Sequence, residues 1–287
     1  MKSNKRSFKP GKIIAMALLI FWAVLSLFPM YWMFQTSFTP KEEIGTLPPK
    51  WFPSELTLDN YASLFEGFSW SQIFYGKGIL RWILNSIIVC CTVTFIVVLF
   101  SAMAGYGFAK KDFPGKQIMF WMIIATMMIP PQVTLVPVFL MLSKIGIVGS
   151  LWAVIIPASA SVFGVFMMRQ HLLTLSTNFI DAARIDGCSE WGIFWRIIIP
   201  LAKPAIAVLA IFTFIGQWNS YLWPLIVLDD PSKYPLTLGL ATLQRQNINQ
   251  YGLQAAGSAI SAIPMLIVFF AFQKYFMKGL TLGGNKG

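Results

Sequence analysis

The sequence predicts an all-α membrane protein with six transmembrane helices, and three observations carry that prediction. The chain is 56% apolar and 11% charged, where soluble domains run near 45–50% and about 25%. Six stretches contain no Asp, Glu, Lys or Arg: residues 13–40, 82–109, 117–143, 145–168, 204–228 and 246–273. Each exceeds the roughly 20 residues a helix needs to cross the hydrocarbon core. With the N-terminus inside, the inner segments hold 15 of the 22 basic residues and only Asp112, Asp181, Asp186 and Glu190 among the acids. The outer segments then sum to zero, so the net charge of +11 is an inside charge that places both termini in the cytosol. A charge so placed reports topology and gives no reason to expect nucleic-acid binding.

Taken in order, residues 1–12 form a basic cytosolic N-terminus, 13–277 a six-span domain, and 278–287 a cytosolic tail rich in glycine. The apolar run after Lys12 is too long for a signal peptide and no small-x-small cleavage site follows it, so it is a retained first span. The outer loop 36–81 carries Pro40, Pro48, Pro49 and Pro53 with Trp51, Phe52 and Tyr61. Such a composition predicts an ordered, turn-rich lid. Within it, residues 56–67 read as a short helix begun at Thr57 or Asp59, and residues 68–75 as an aromatic interfacial segment. Cys90, Cys91 and Cys188 have neither metal-ligand spacing nor an oxidising compartment, which makes them free thiols.

Two spans contain breaks. Pro130, Pro131 and Gln132 fall mid-way along the third, where Pro131 removes a backbone donor and clashes with the preceding turn. A kink or local unwinding is expected there, as a structural bend or as part of a pathway. The fifth span carries Gln217, Trp218 and Asn219, whose amides are costly to face toward lipid. Aromatic faces beside amides suit a sugar, so Trp218 and Asn219 are expected to line a cavity; Trp223 reads as outer aromatic belt. The last span begins well after Gln246, since QNINQYG is too polar to be buried.

The inner loop 169–203 separates the fourth and fifth spans. Ser176, Thr177 and Asn178 offer N-cap side chains, Asp181 sits in the first turn, and Gly187 can adopt the left-handed conformation that ends a helix. Ser189 can cap a second segment with Glu190 in its first turn, a segment expected to stop ahead of Pro200. The unit predicted is helix, glycine turn, helix.

Absences narrow the chemistry. None of the six spans contains a carboxylate, a basic residue or a histidine, the usual relays of pumps and coupled carriers. The single histidine, His171, lies at the inner edge and reads as an interfacial side chain; no catalytic or metal-binding set is present. There is no GxxxxGK[ST] loop for nucleotide phosphates. The chain is no enzyme by this reading, and its energy comes from a partner.

The stretch DAARIDGCSEWGIFWRIIIPLAKP (181–204) resembles the EAA loop of bacterial ABC import permeases, roughly EAAxxDGxxxxxxFxxIxLPxxxP. Ala182, Ala183, Asp186, Gly187, Phe194, Ile197, Pro200 and Pro204 match, with Asp181 for the usual Glu and Ile199 for the usual Leu. SFTPKEEI, PPKWFPSELTLDNYASLF, LNSIIV, GYGFAK, PPQVTLVPVF, WNSYLWPL and KGLTLGGNKG extend the likeness to the maltose-type carbohydrate branch. The resemblance implies a type I ABC importer transmembrane domain in a bacterial inner membrane. In that family the EAA loop forms a coupling helix, a contact that Asp181, Ala182, Ala183, Asp186 and Gly187 would make here. It further implies a second permease subunit, two ATPase subunits or domains that bind ATP and Mg, an extracytoplasmic solute-binding protein and a sugar substrate. By position, the outer loop 229–250 would face the binding protein and the tail the ATPase. Rival readings are an ABC permease for a polyol or glycerol phosphate, an ion-coupled carrier acting alone, and an anchor subunit without a pathway. A phosphorylated cargo would call for basic residues in the spans, and there are none.

Overall fold

The computed structural model describes residues 10–65, 76, 78–246 and 250–281, with side chains except at Pro10 and 274–281. Among the described residues every regular element is helical. Four helices are long and apolar enough to cross a membrane unbroken: Gly11–Ser37, Ile79–Lys110, Leu151–Leu173 and Tyr251–Gln273. Two bent pairs complete six, Lys116–Met128 with Pro131–Ile145 and Glu190–Leu201 with Lys203–Trp218. The helices are α1 (Pro10–Ser37), α2 (Asp59–Leu64), α3 (Ile79–Lys110), α4 (Lys116–Ala125), α5 (Pro131–Ile145), α6 (Leu151–Ala158) and α7 (Val162–Leu173). They continue as α8 (Asn178–Ile185), α9 (Glu190–Leu201), α10 (Lys203–Trp218), α11 (Leu222–Val227), α12 (Leu236–Gln246) and α13 (Tyr251–Thr281).

The chain divides into two compact units. One comprises the described residues up to Phe65 together with Leu243–Ala262. Here the described part of loop 36–81, up to Phe65, is folded. Asn60, 1% exposed, donates through Nδ2 to the carbonyls of Ser37 (3.1 Å) and Thr39 (2.9 Å), and Tyr61 shares a 2.8 Å bond with Ser37. Trp51 packs on Phe28 and Trp32 and accepts from the Tyr31 hydroxyl through its carbonyl. Thr57 Oγ1 takes the Asp59 N–H at 3.1 Å, so the short helix begins at the second of the two starts foreseen and ends at Leu64. A Cβ on Gly252 would lie 2.4 Å from Asn60 Oδ1, which is why α13 opens with a glycine beside the lid. The aromatic segment 68–75 lies outside the described residues.

The second unit is built on α3, whose Val89, Val93 and Val97 are nearly inaccessible and share a core with Leu142, Ala153, Met168, Leu172 and Leu209. α3 and α7 approach through small residues. A Cβ on Gly105 would sit 2.7 Å from Met168 Cβ, and one on Gly164 2.3 Å from Ser101 Oγ. Small side chains let backbones close up where lipid supplies no hydrophobic drive.

Several boundaries differ from the sequence expectation. The fourth span begins at Leu151, inside its charge-free stretch 145–168, because Gly146 and Gly149 (φ +77 and +79) turn the chain first and Gly149 N–H bonds Val227 O at 2.8 Å. The long helix of the fifth span ends at Trp218, and a separate α11 follows. The last span begins at Tyr251, as the polar residues before it require, and stays helical to Thr281, so the expected tail is helix in its first residues; 282–287 lie outside the described residues. Cys90, Cys91 and Cys188 are free thiols.

Candidate coupling site and the broken spans

In the loop 169–203, α8 is held by devices the sequence announces. Ser176 Oγ accepts the Asn178 N–H at 3.2 Å, whereas Thr177 has helical angles and makes no capping bond. At the other end Gly187 (φ +76) donates to Arg184 O at 3.1 Å and Cys188 N–H donates to Ala183 O at 2.9 Å. Those two bonds constitute a Schellman stop, and its left-handed residue is the one where glycine avoids the Cβ penalty. Ser189 then accepts from Gly192 N–H at 3.2 Å and opens α9, with Glu190 in its first turn.

α8 has two faces. Ile180 and Ala183 are 3% and 6% exposed and pin the helix to the body. Asp181, Ala182, Asp186 and Gly187 are exposed, together with Phe179 and, at 87%, Ile185. Ala183 therefore leaves the expected set of five contact residues: it is an anchor, turned inward because it lies one turn from Ile180. Phe179 was not foreseen, and Ile185 is one of the apolar side chains the sequence makes available to a membrane or protein surface. Their signal was physical, large apolar side chains out of phase with the buried stripe.

One carboxylate ties this helix pair to α3. Glu190 accepts from Lys111 Nζ, from the Tyr106 hydroxyl at 3.2 Å, and from Arg184 Nε and Nη2 at 3.3 and 3.2 Å. Arg184 Nη1 also reaches Asp181 at 3.3 Å. The hydrogen bond from Lys111 is the main cause that holds the Glu190 carboxyl below its ordinary range. The group sits in the first turn of α9, over a small cavity of about 160 Å³ walled by Met103, Tyr106, Trp191 and Phe194.

α9 does not stop ahead of Pro200. It runs to Leu201 through a π turn, Phe194–Ile198, in which Ile199 N–H bonds Phe194 O. The widened turn relieves the clash that a proline ring imposes on the carbonyl four residues back. The chain breaks instead at Ala202 (φ −85, ψ 0), ahead of Pro204, and α10 leaves at 77°.

The third span breaks where the prolines fall. α4 ends in a 3-10 turn, Thr126–Met128; Ile129 and Pro130 are extended, and α5 restarts at Pro131, bent by 102°. Pro130, Pro131 and Gln132 are all exposed. In the fifth span Trp218 is 1% exposed, stacked on Phe214 at 5.9 Å, and its carbonyl accepts from Thr237 Oγ1 at 2.6 Å. Trp218 is thus packing and not cavity lining in this conformation. Asn219 is exposed and returns its Nδ2–H to Ile215 O at 3.0 Å, while Gln217 is half-buried. Trp223 is half-buried against the core, and its Nε1–H donates to Ala153 O at 3.0 Å.

A docking point not foreseen lies at the start of α3. Trp82 Nε1 donates to Pro231 O (2.9 Å), Arg81 Nε and Asn85 Nδ2 to Ser232 O (3.1 and 2.9 Å), and Ser86 Oγ accepts from Leu236 N–H (2.7 Å). Two buried polar residues side by side near the head of an apolar span, Asn85 and Ser86, were the available signal.

Comparison with known proteins agrees with this architecture. Residues 97–281 match the family described as binding-protein-dependent transport system inner membrane component. The chain is 38% identical over 271 residues to the arabinooligosaccharides transport system permease protein AraQ of Halalkalibacterium halodurans, covering 93% of this chain and 94% of that one. It is 37% identical over 280 residues to AraQ of Bacillus subtilis, covering 96% and 97%. Its fold superposes with a TM-score of 0.82, at 23% identity, on a chain of a bacterial ABC transporter that imports the acidic polysaccharide alginate, over 96% of this chain and 100% of the other. The chain belongs to the family of binding-protein-dependent transport system inner membrane components: it is a non-enzymatic inner-membrane permease subunit of an ABC importer.

Proposed function

We propose that this permease carries a sugar, an oligosaccharide by preference, and that α8 is the coupling helix through which an ATPase drives it. The observation that carries the coupling reading is the free outer face of α8, with Ile185 87% exposed between Asp181, Ala182 and Asp186 while Ile180 and Ala183 anchor the other side. An apolar knob ringed by small and charged residues suits a cleft on a soluble partner. The cargo class follows the relatives, whose names specify arabinooligosaccharides, and the absence of charge in the spans, which disfavours a glycerol phosphate. Both termini lie in the cytosol in this reading, in keeping with the Lys and Arg distribution.

Asp181, Ala182, Asp186 and Gly187 form or aim the ATPase contact, with Ala183 supporting from beneath. Two ATPase subunits bind the ATP and Mg, and a second, distinct permease completes the path. A solute-binding protein delivers sugar outside, where the turn 231–234 and α12 within loop 229–250 face it. Gln217, Asn219 and the break at Pro130–Gln132 border the path. Each partner acts only through its different affinity for inward- and outward-open states.

Ile185→Asp tests the reading, since it replaces a side chain that touches little within the chain. The expected result is a membrane-inserted permease with ATPase affinity reduced by roughly 30-fold, the scale of a hot-spot contact of ~2 kcal/mol. Gly187→Pro, which removes the left-handed stop, should act alike. Unchanged co-purification of the ATPase with both variants would reject α8 as the coupling element. Binding-protein ligand screening then names the sugar, and a phosphorylated polyol among its ligands would revise the cargo.

A further inference from the structure

At the inner ends of α3 and α7 and the start of α4, a cavity of about 510 Å³ opens onto the protein surface. Arg169 and Lys116 line it. The Arg169 guanidinium is fixed: its Nε donates to Phe108 O at 3.3 Å and its carbon lies 4.0 Å from the centre of the Phe120 ring. Both aromatic residues are buried, at 8% and 2% exposure. Arg169 takes part in none of the ion pairs found among the described residues, so its two terminal nitrogens present up to four donors without a counter-charge. A half-buried guanidinium held by an aromatic face and unneutralised by carboxylate is suited to an anion.

The neighbouring charges reinforce this. Lys116 Nζ bonds Lys111 O and Asp112 at 2.6 and 3.2 Å, with the Asp112 carboxylate fully in solvent. Lys110 is committed to Leu175 O at 2.5 Å, and Lys111 is already matched by Glu190. Lys110, Lys116 and Arg169 against Asp112 leave the local field positive. The remaining wall is mostly apolar, with Phe108, Phe113, Ile118 and Leu173 beside the single amide of Gln117. From Ile118 an exposed apolar surface continues along α4 through Trp121 and Met122. A charged pocket at the membrane edge that leads into an apolar track of helix matches one amphiphile in both halves.

We infer that this cavity binds the headgroup of an anionic phospholipid of the inner leaflet, with Arg169 on the phosphate, Lys116 at the rim and an acyl chain along α4. Basic pockets between transmembrane helices on the cytoplasmic side take such headgroups. The inference rests on the inner placement of loop 169–203 and not on the cargo or on the α8 contact, so it stands or falls separately from the transport reading.

The test uses the full chain in its assembled complex, purified in detergent and titrated with mixed micelles of phosphatidylglycerol or phosphatidylcholine. Lipid retention is read by native mass spectrometry and thermal stability by scanning fluorimetry. Phosphatidylglycerol should be retained and stabilise the wild type, phosphatidylcholine much less. Arg169→Gln should weaken the phosphatidylglycerol effect about tenfold, the scale of one lost hydrogen bond to a charged group, and Arg169→Lys, which keeps the charge but not the planar fork or the stack on Phe120, should weaken it less than Arg169→Gln does. Lys116→Gln, at the rim, supplies the reading should Arg169→Gln fail to assemble, and should weaken it less. Equal retention of the two lipids by wild type, or undiminished phosphatidylglycerol binding in the variants, would overturn the assignment. Equal stabilisation by inorganic phosphate alone would replace the lipid with a free anion and overturn it as well.

Discussion

At Glu190 three donors from two parts of the chain converge on one carboxylate: Tyr106 and Lys111 from the C-terminal end of α3 and the residue after it, and Arg184 from α8. None of these contacts rests on deep burial, since the side chain is 53% exposed, so their value is geometric more than energetic. They fix the angle between a helix that meets the ATPase in our proposal and a helix that forms the core. Glu190→Gln should therefore keep assembly but lower transport per ATP hydrolysed by several-fold, measured in proteoliposomes; an unchanged ratio would make the cluster ornamental. The pH dependence has a definite sign. Because the folded carboxyl is held below its ordinary 4.5, the tie is complete above that value and is lost as pH falls through the lower folded one. Hydrogen exchange of α8 should accordingly rise only in that acidic window. Gly187 and Ser189 were legible in the sequence because their roles are local, a left-handed φ and a cap. Lys111 and Tyr106 as partners of Glu190 were not, lying 79 and 84 residues away in the chain. Trp218 and Ala183 were misjudged for the same reason: which side of a helix is covered depends on neighbours that no local pattern contains.

Prolines act differently in each helix that holds them. At Pro130–Pro131 the ring ends one helix and starts another, with an extended Ile129 and a bend of 102°. At Pro200 a π turn absorbs the ring and the helix continues. The difference lies in what precedes the ring. Two adjacent prolines force the residues before each of them out of the helical region, whereas a single one needs only a wider turn behind it. The existence of a break in the third span was readable from that dipeptide, but its angle depends on packing. Replacing both Pro130 and Pro131 by alanine should let α4 and α5 join into one nearly straight helix. Spin labels at Ile118 and Leu140 should move apart by several ångströms toward the separation of 22 residues at about 1.5 Å each. An unchanged distance would assign the bend to surrounding contacts and not to the prolines.

The six spans were visible because a helix in lipid must be apolar throughout its length, a demand that composition alone reveals. What covers each span is a separate matter that follows from the whole assembly. Every large apolar side chain named between Ile13 and Phe28 on α1 is 43–66% exposed, while at its far end the lid pins the helix through Asn60 and Trp51. Exposure on all sides of one helix is compatible with lipid alone, yet α1 has no polar side to set against a lipid-facing one. In a two-permease assembly part of this surface is the natural seat for the partner's helices. The exposed apolar residues of α13, Ile263 to Phe270, extend the same demand to the other end of the chain. Expression of this chain with and without the second permease that we propose separates the possibilities. Co-expression should yield a monodisperse complex by size-exclusion chromatography, and the chain alone should aggregate in the same mild detergent or be degraded. Leu19→Lys on α1, costing about 2.5–3.5 kcal/mol at the centre of a span, should then impair insertion whether lipid or protein covers it. Bulky but apolar Ala23→Phe on the same helix should disrupt only the two-permease complex. A chain that remains monodisperse alone, with Ala23→Phe harmless in the complex, would make lipid the sole cover of α1.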